Sequence, residues 1–283
     1  MNPPSQPKIS VCIPTYNGED YIGESIESVL SQTYPNFELV ITDDCSTDRT
    51  LDIIKKNIDS RIRSLKNERN LGAEGNSNKV LSEARGKYIK VLHHDDLLYP
   101  SCLESQIEIL EAPENKDVVL VCCGRDIIDE KDRKILQRRF KGKSGKFPGI
   151  QIIKKTVQSG TNLIGEPSSV LFRSDVLRKT GGFDHTIPYL TDLDLWCRML
   201  LHGDIYISSD VLCAFRVSST SLSVAIGHSQ KKDFNKFVDR LYEDKRYHLD
   251  KFDCLIGKVK AYFYSIFRNL LYIQICRRKK ELD

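Results

Sequence analysis

Two apolar runs in this 283-residue chain each end in a pair of aspartates. Phe37-Glu38-Leu39-Val40-Ile41-Thr42 runs into Asp43-Asp44, and Tyr88-Ile89-Lys90-Val91-Leu92 runs into His93-His94-Asp95-Asp96. Runs of this length bounded by polar residues read as buried strands, and helical periodicity fills the sequence between them. Strands joined by crossover helices are normally parallel, so their carboxyl ends share one edge of the sheet. Ligands of open α/β sheets bind at that edge. Four carboxylates gathered there repel one another unless a cation or a hydrogen-bonding ligand compensates them. The arrangement suits a nucleotide diphosphate carried with a divalent metal.

The rest of the first half follows the same alternation, a doubly wound α/β sheet. Strands are expected over residues 8–14, 37–42, 61–66, 87–92 and 117–123, with helices over 19–32, 46–58, 73–84 and 100–111. The second half is less regular. Residues 131–146 hold eight Lys/Arg with Gly142 and Gly145 and read as a mobile basic loop. Residues 165–173 are expected to return to the sheet, 191–202 to form a helix and 211–217 a last strand. A polar helix over 229–250 and an aromatic-rich amphipathic helix over 254–276 complete the chain. This divides it into an α/β domain, 1–225, and a helical extension, 226–283.

Composition narrows the setting. A formal charge of +4 implies no nucleic-acid partner. Nine cysteines lie scattered without C-x-x-C or Cys/His ligand spacing, which favours a reducing, cytoplasmic compartment over a disulfide framework. The polar, Pro-rich residues 1–8 do not resemble a signal peptide. No apolar stretch approaches the ~20 residues of a membrane span, so a soluble or peripheral protein is expected.

The loop after the first strand, Pro14-Thr15-Tyr16-Asn17-Gly18, lacks the G-x-G-x-x-G of a dinucleotide fold, and Glu19 and Asp20 come next, where a phosphate would sit. Asn17 suits either an N-cap or a nucleotide contact. Ser46 or Thr47 is expected to cap the second helix. That leaves Asp43 and Asp44 at the sheet edge, where a carboxylate can accept from a base N–H or a ribose hydroxyl. At His93-His94-Asp95-Asp96, hard Mg²⁺ or Mn²⁺ would take one or two carboxylates plus phosphate oxygens. Zinc lacks further ligands of suitable spacing, and a purely structural acidic turn is the plain alternative.

Together these segments resemble the inverting family 2 glycosyltransferases of GT-A fold. The resemblance runs through Val11–Asn17, Ser31-Gln32-Thr33-Tyr34, Asp43–Asp48, Asn67-x-x-Asn70-x-Gly72 and Ala84–Ile89. It continues through the His-His-Asp-Asp turn, Gly182-Phe183-Asp184 and Thr191-Asp192-Leu193-Asp194-Leu195-Trp196, covering roughly residues 8–223. It implies a hexosyltransferase of the kind that builds bacterial surface glycans. The donor would be a nucleotide-diphospho-sugar, by default UDP-linked, and the acceptor a glycan or lipid-linked hydroxyl. Carried onto this chain, Pro14, Thr15, Tyr16, Asn17, Asp43, Asp44, Asn78 and Asp95 would bind the donor nucleotide. Asp96, with Asp95 assisting, would hold the Mg²⁺ or Mn²⁺, and Asp192 would be the catalytic base.

Two physical expectations attach to Asp192. Thr191 and Asp194 look like a capping box, leaving Asp192 free at the helix mouth. The helix dipole would then lower its pKa. The chain departs from the family at His93, where relatives often carry Asp, at Ser218, where they often carry His, and at Thr191 and Ser77. Those at 93 and 218 motivate an alternative, a catalytically weak sugar-nucleotide-binding or scaffolding subunit.

The tail alternates Phe252, Leu255, Val259, Tyr262, Phe263, Ile266, Leu270, Ile273 and Ile275 with Lys258, Lys260, Arg268 and Arg277-Arg278-Lys279-Lys280. Such a helix suits peripheral contact with an anionic membrane through 252–280, at the inner face of the plasma membrane. Packing on the catalytic domain, or on a second subunit in a homo-oligomer, is the competing expectation.

Overall fold

The computed structural model describes residues 6–218 and 229–280, with side chains up to residue 266. Expectations for Arg268, Leu270, Ile273, Ile275 and the 277–280 cluster lie outside the described side chains. The strands are β1 (Ile9–Thr15), β2 (Phe37–Asp43), β3 (Ile62–Lys66), β4 (Tyr88–Val91), β5 (Leu97–Leu98), β6 (Val118–Ile128), β7 (Lys134–Arg138), β8 (Gly145–Phe147), β9 (Val170–Arg173) and β10 (Asp204–Arg216). The helices are α1 (Ile22–Leu30), α2 (Thr50–Lys56), α3 (Gly72–Glu83), α4 (Cys102–Glu111), α5 (Gly149–Ser159), α6 (Ser174–Thr180), α7 (Thr191–Met199), α8 (Gln230–Glu243) and α9 (Lys251–Lys280).

The sheet order is β3-β2-β1-β4-β9-β6-β10-β5. β1, β2, β3 and β4 pair in parallel, as the crossover argument requires. β9 then inserts antiparallel between β4 and β6, and β10 pairs in parallel with β6. Two reversals restore the original direction, so β6 and β10 open on the same edge as β1 to β4. β1, β2 and β6 are buried along nearly their whole length and read as continuous apolar runs because both sheet faces are covered. One core holds Ile22, Ile26 and Val29 of α1 with Leu103 and Ile107 of α4; the opposite core holds Val80, Trp196 and Met199. Phe234, Phe237, Val238 and Ala261 from α8 and α9 belong to that second core, so the C-terminal helices pack directly on the α/β layers.

The basic segment 131–146 is not simply a loop. β7 pairs antiparallel with β6 and β8 with β10, so part of it extends the sheet. Its Lys/Arg content hid this, since Lys134 spends its charge on Asp126 across the hairpin at 2.7 Å.

On α9, Asp253, Cys254 and Ala261 are buried, whereas Phe252, Leu255, Val259, Phe263 and Ile266 form an exposed apolar stripe on the other side. Among the described residues no helix is long and apolar enough to cross a membrane, and all eight described cysteines are free thiols.

Candidate active site

At the shared strand edge lies a cavity of about 710 Å³, within the range of small-molecule sites. Its sheet wall comes from Pro14, Thr15, Tyr16 and Asn17 after β1, Asp44 after β2 and His93, His94 and Asp95 after β4. Its far wall comes from Asn162, Glu166, Leu190, Thr191 and Asp192, with Gln230 and Phe234 of α8.

The β1 turn is held by cross-links to the β2 turn rather than by helix capping. Asn17 sits at φ 47° and does not cap α1, whose first residue is Ile22. Its Oδ1 accepts from the Thr47 N–H at 2.9 Å, and its own N–H donates to the Ser46 hydroxyl at 2.9 Å. Ser46 and Thr47 are thereby occupied. The start of α2 is served by Asp48, whose Oδ1 accepts from the Thr50 N–H at 3.0 Å. Gly18 is required here: a Cβ would come within 2.8 Å of the His94 ring.

The two members of each aspartate pair face different surroundings. Asp44 reaches the cavity. Its Oδ1 accepts from Asn67 Nδ2 and the Leu71 N–H, both at 2.8 Å, which fixes the carboxylate as a rigid acceptor. Asp43 lies outside the cavity lining, its Oδ2 accepting from the Ser46 N–H at 3.0 Å. The second pair divides the same way. Asp95 lines the cavity, and its carboxylate makes no hydrogen bond or ion pair among the described residues. Asp96 is fully buried and accepts from the Arg216 N–H at 3.0 Å. Burial and the neighbouring Asp95 charge hold its pKa well above the usual carboxylate range. Asp95 therefore stands on the cavity wall and Asp96 behind it, with Asp96 Oδ1 taken by the Arg216 N–H and Oδ2 buried without a hydrogen-bond partner among the described residues.

Asn78 does not reach the cavity either. Its amide exchanges two hydrogen bonds with the backbone of Phe183, Nδ2 donating to the carbonyl at 3.0 Å and Oδ1 accepting from the N–H at 2.8 Å. It latches α3 to the turn before α7. Arg216 at the end of β10 is a second such anchor. Its guanidinium donates to the Asp95 carbonyl at 2.8 Å, Asp132 at 2.6 Å and Glu24 at 2.9 Å.

Asp192, the second residue of α7, lines the cavity, with Leu190 rather than Thr191 at the cap position. Asp194 is structural as expected, by another route: it pairs with Arg198 at 2.8 Å and with Arg240 of α8. The Asp192 Oδ1 accepts from the Leu193 N–H at 2.8 Å and Oδ2 from Asn162 Nδ2 at 3.3 Å. Its pKa is raised from 3.8 to about 7, first by burial and then by the charge of Glu166. The helix-dipole expectation thus has the wrong sign, because lost hydration outweighs a terminus that acts through one short contact.

Sequence reasoning missed Glu166 and Asn162. Glu166 forms a buried ion pair with Arg125 of β6, and the arginines at 125 and 138 keep its pKa below the usual carboxylate value despite burial. Asn162 also accepts from the N–H groups of Ile164 and Gly165, bracing the loop that carries Glu166. Neither lies behind a strand-end signal.

A mixed sheet with this strand order and a carboxylate-lined cleft at its carboxyl edge is the GT-A fold. The sequence profile described as glycosyl transferase family 2 matches residues 10–181, and the chain belongs to that family. It is 34% identical over 215 residues to an uncharacterized glycosyltransferase of Rickettsia typhi, covering 75% of this chain and 64% of that protein. It is 32% identical over 207 residues to the putative glycosyltransferase EpsE of Bacillus subtilis, covering 70% and 69%. The chain thus spans about two thirds or less of the length of several such relatives. Among solved structures, S. aureus TarS 1–349 in complex with UDP-GlcNAc superposes with a TM-score of 0.69 at 21% identity, over 88% of this chain and 70% of that one. The mannosyltransferase PcManGT of Pyrobaculum calidifontis, in complex with GDP-Man and Mn²⁺, gives 0.62 at 17% identity, over 98% and 80%.

Proposed function

We propose that this protein is an inverting glycosyltransferase that moves a sugar from a nucleotide-diphospho-sugar, by default UDP-linked, to a hydroxyl of a glycan or lipid-linked acceptor. The observation that carries the reading is Asp192: a carboxylate with a pKa of about 7, in the same cavity as Asp44 and Asp95. A base poised near neutrality is what proton removal from a hydroxyl calls for.

In this mechanism the fixed Asp44 carboxylate accepts from the nucleobase N–H, with Thr15 and Tyr16 flanking it. Asp192 takes the proton of the acceptor hydroxyl as that oxygen bonds to the anomeric carbon. The bond from that carbon to the diphosphate breaks, and the electron pair leaves with the nucleotide. Attack and departure occur on opposite faces, so configuration inverts.

Among the described residues no cluster of three or more His, Cys, Asp or Glu could hold a metal alone. One unengaged carboxylate at Asp95 does fit Mg²⁺ or Mn²⁺ shared with phosphate oxygens, the usual way such ions sit on few protein ligands. When bound there, the ion supplies Lewis-acid stabilisation of the departing diphosphate. Burial lowers the pKa of His93, leaving it neutral at pH 7 and adding no charge against such an ion. The UDP-GlcNAc and Mn²⁺ complexes of the two structural neighbours support the same donor and metal reading.

The test is a screen of UDP-, GDP- and dTDP-sugars with and without Mn²⁺, reading thermal shift and released nucleotide. Binding with turnover is expected. No nucleotide binding refutes the reading, and tight binding without turnover for any donor selects the scaffolding alternative that His93 and Ser218 motivate. The exposed stripe on α9, beside Lys251 and Lys260, supports a cytoplasmic protein held peripherally on an anionic membrane. Co-sedimentation with anionic liposomes, lost on Phe252→Ser/Leu255→Ser, is expected; retained binding, or conversion of a homo-oligomer to monomer instead, assigns the stripe elsewhere.

A further inference from the structure

The far wall of the cavity carries a side chain that the donor chemistry leaves unused. Gln230, the first residue of α8, is 2% exposed and lines the cavity. Neither its amide nitrogen nor its amide oxygen has a hydrogen-bond partner among the described residues. An unpaired buried amide costs a protein about 1–3 kcal/mol. Such a group is retained most readily where a ligand completes it.

Its position says which ligand. α8 packs on the Pro188–Leu190 turn just ahead of Asp192, and Arg240 of α8 pairs with Asp194 of α7. Gln230 therefore shares a wall with the base, whereas the nucleotide side of the cavity is built from β1, β2 and β4. An inverting reaction brings the acceptor in from the base's side.

The chemistry of this wall is specific. Phe234 and Leu190 are buried apolar surfaces beside Gln230, and among the described residues the charges this wall contributes are the carboxylates of Asp192 and Glu166. Arg138, a cation on the lining, faces Glu166. A carboxamide offers one acceptor and one donor side by side, which matches two adjacent hydroxyls. An aromatic ring offers a flat partner for the C–H face of a pyranose. A phosphate or a uronate would meet Asp192 here, while the cations nearest this wall, Arg125 and Arg138, are already engaged by Glu166.

We infer that Gln230 and Phe234 form an acceptor subsite for a neutral pyranose, with the Gln230 amide bridging a vicinal diol. The inference rests on the transferase reading and deepens it.

The test uses the full chain with UDP and Mn²⁺, probed by saturation-transfer NMR with the methyl glycosides of glucose, galactose, mannose and N-acetylglucosamine, and with methyl glucuronide. At least one neutral glycoside is expected to bind, and methyl glucuronide is not. Gln230→Leu should weaken that glycoside about tenfold, the worth of two neutral hydrogen bonds, while UDP affinity stays unchanged. Gln230→Glu keeps the side-chain size but adds a carboxylate, and should weaken it as well. Phe234→Leu should do so through lost stacking. If UDP itself does not bind the wild type, the transferase reading fails first. If UDP binds but no neutral glycoside does, if the glucuronide is preferred, or if the Gln230 variants bind the glycosides like wild type, the subsite is refuted.

Discussion

Replacing Asp192 with Asn should abolish sugar transfer and, at alkaline pH, make the protein more stable. The carboxyl is carried from 3.8 to about 7 on folding, so the folded state keeps a proton that the unfolded chain gives up. Below pH 3.8 both states are protonated and the group contributes nothing. Between 3.8 and about 7 stability falls as pH rises, at about 1.4 kcal/mol for each pH unit, and it levels off above 7. The full cost is about 4 kcal/mol. Against it, Asn supplies one oxygen where Leu193 N–H and Asn162 Nδ2 use two, a loss of about 1 kcal/mol that does not vary with pH. The two effects cross: Asp192→Asn should be level with or slightly below wild type near pH 4–5, and more stable by about 3 kcal/mol at pH 8. For a chain of this size that is a rise in Tm of about 5 °C. The assay is paired thermal and urea melts of both proteins from pH 4.5 to 8.5, alongside nucleotide release, where a fall of about 10²–10⁴-fold is expected. A stability difference that does not change with pH, or a wild type that is the more stable protein at pH 8, refutes the claim that burial raises this carboxyl.

Glu166→Gln removes the nearest charge opposing Asp192 ionisation, so the acid limb of kcat/KM against pH, expected near 7, should move to lower pH while donor KM is unchanged. Asp44→Ala should weaken UDP about tenfold or more by calorimetry, and Asn67→Ala, which removes one of two bonds fixing Asp44, should do so by less. Asp95→Ala should abolish the Mn²⁺-dependent part of UDP affinity with little change in Tm, whereas Asp96→Ala should lower Tm by leaving the buried Arg216 N–H unpaired. Asn78→Ala should loosen the turn before α7 and lower kcat, leaving UDP affinity intact.

Much of this fold is written in local pattern. The first four strands and the helices between them can be read from apolar runs and turns, because each crossover unit is set by neighbours in sequence. Strand β9 is different. That residues 165–173 return to the sheet is legible, but their insertion between β4 and β6 depends on pairings about 50 to 80 residues away. The site shows the same limit. Each aspartate pair marks the edge where the cavity lies, yet which member faces that cavity depends on side-chain direction and on what lies behind it. For Asp96 that is the Arg216 N–H, 120 residues on. The raised pKa of Asp192 is legible only once Glu166 and the burial around it are in place, since the helix start alone argues for the opposite direction.

The Asn78–Phe183 latch joins two stretches that do unlike jobs. Upstream lie the residues proposed to contact the nucleotide, downstream the proposed proton acceptor and the α8 wall beside it. The latch is one tie among several, since β10 pairs with β6 and Arg216 reaches Asp95, Asp132 and Glu24. An exchanged segment beyond residue 183 therefore leaves the upstream side undisturbed only if it keeps those contacts. Chimeras cut at that point should inherit their choice of recipient from the downstream parent.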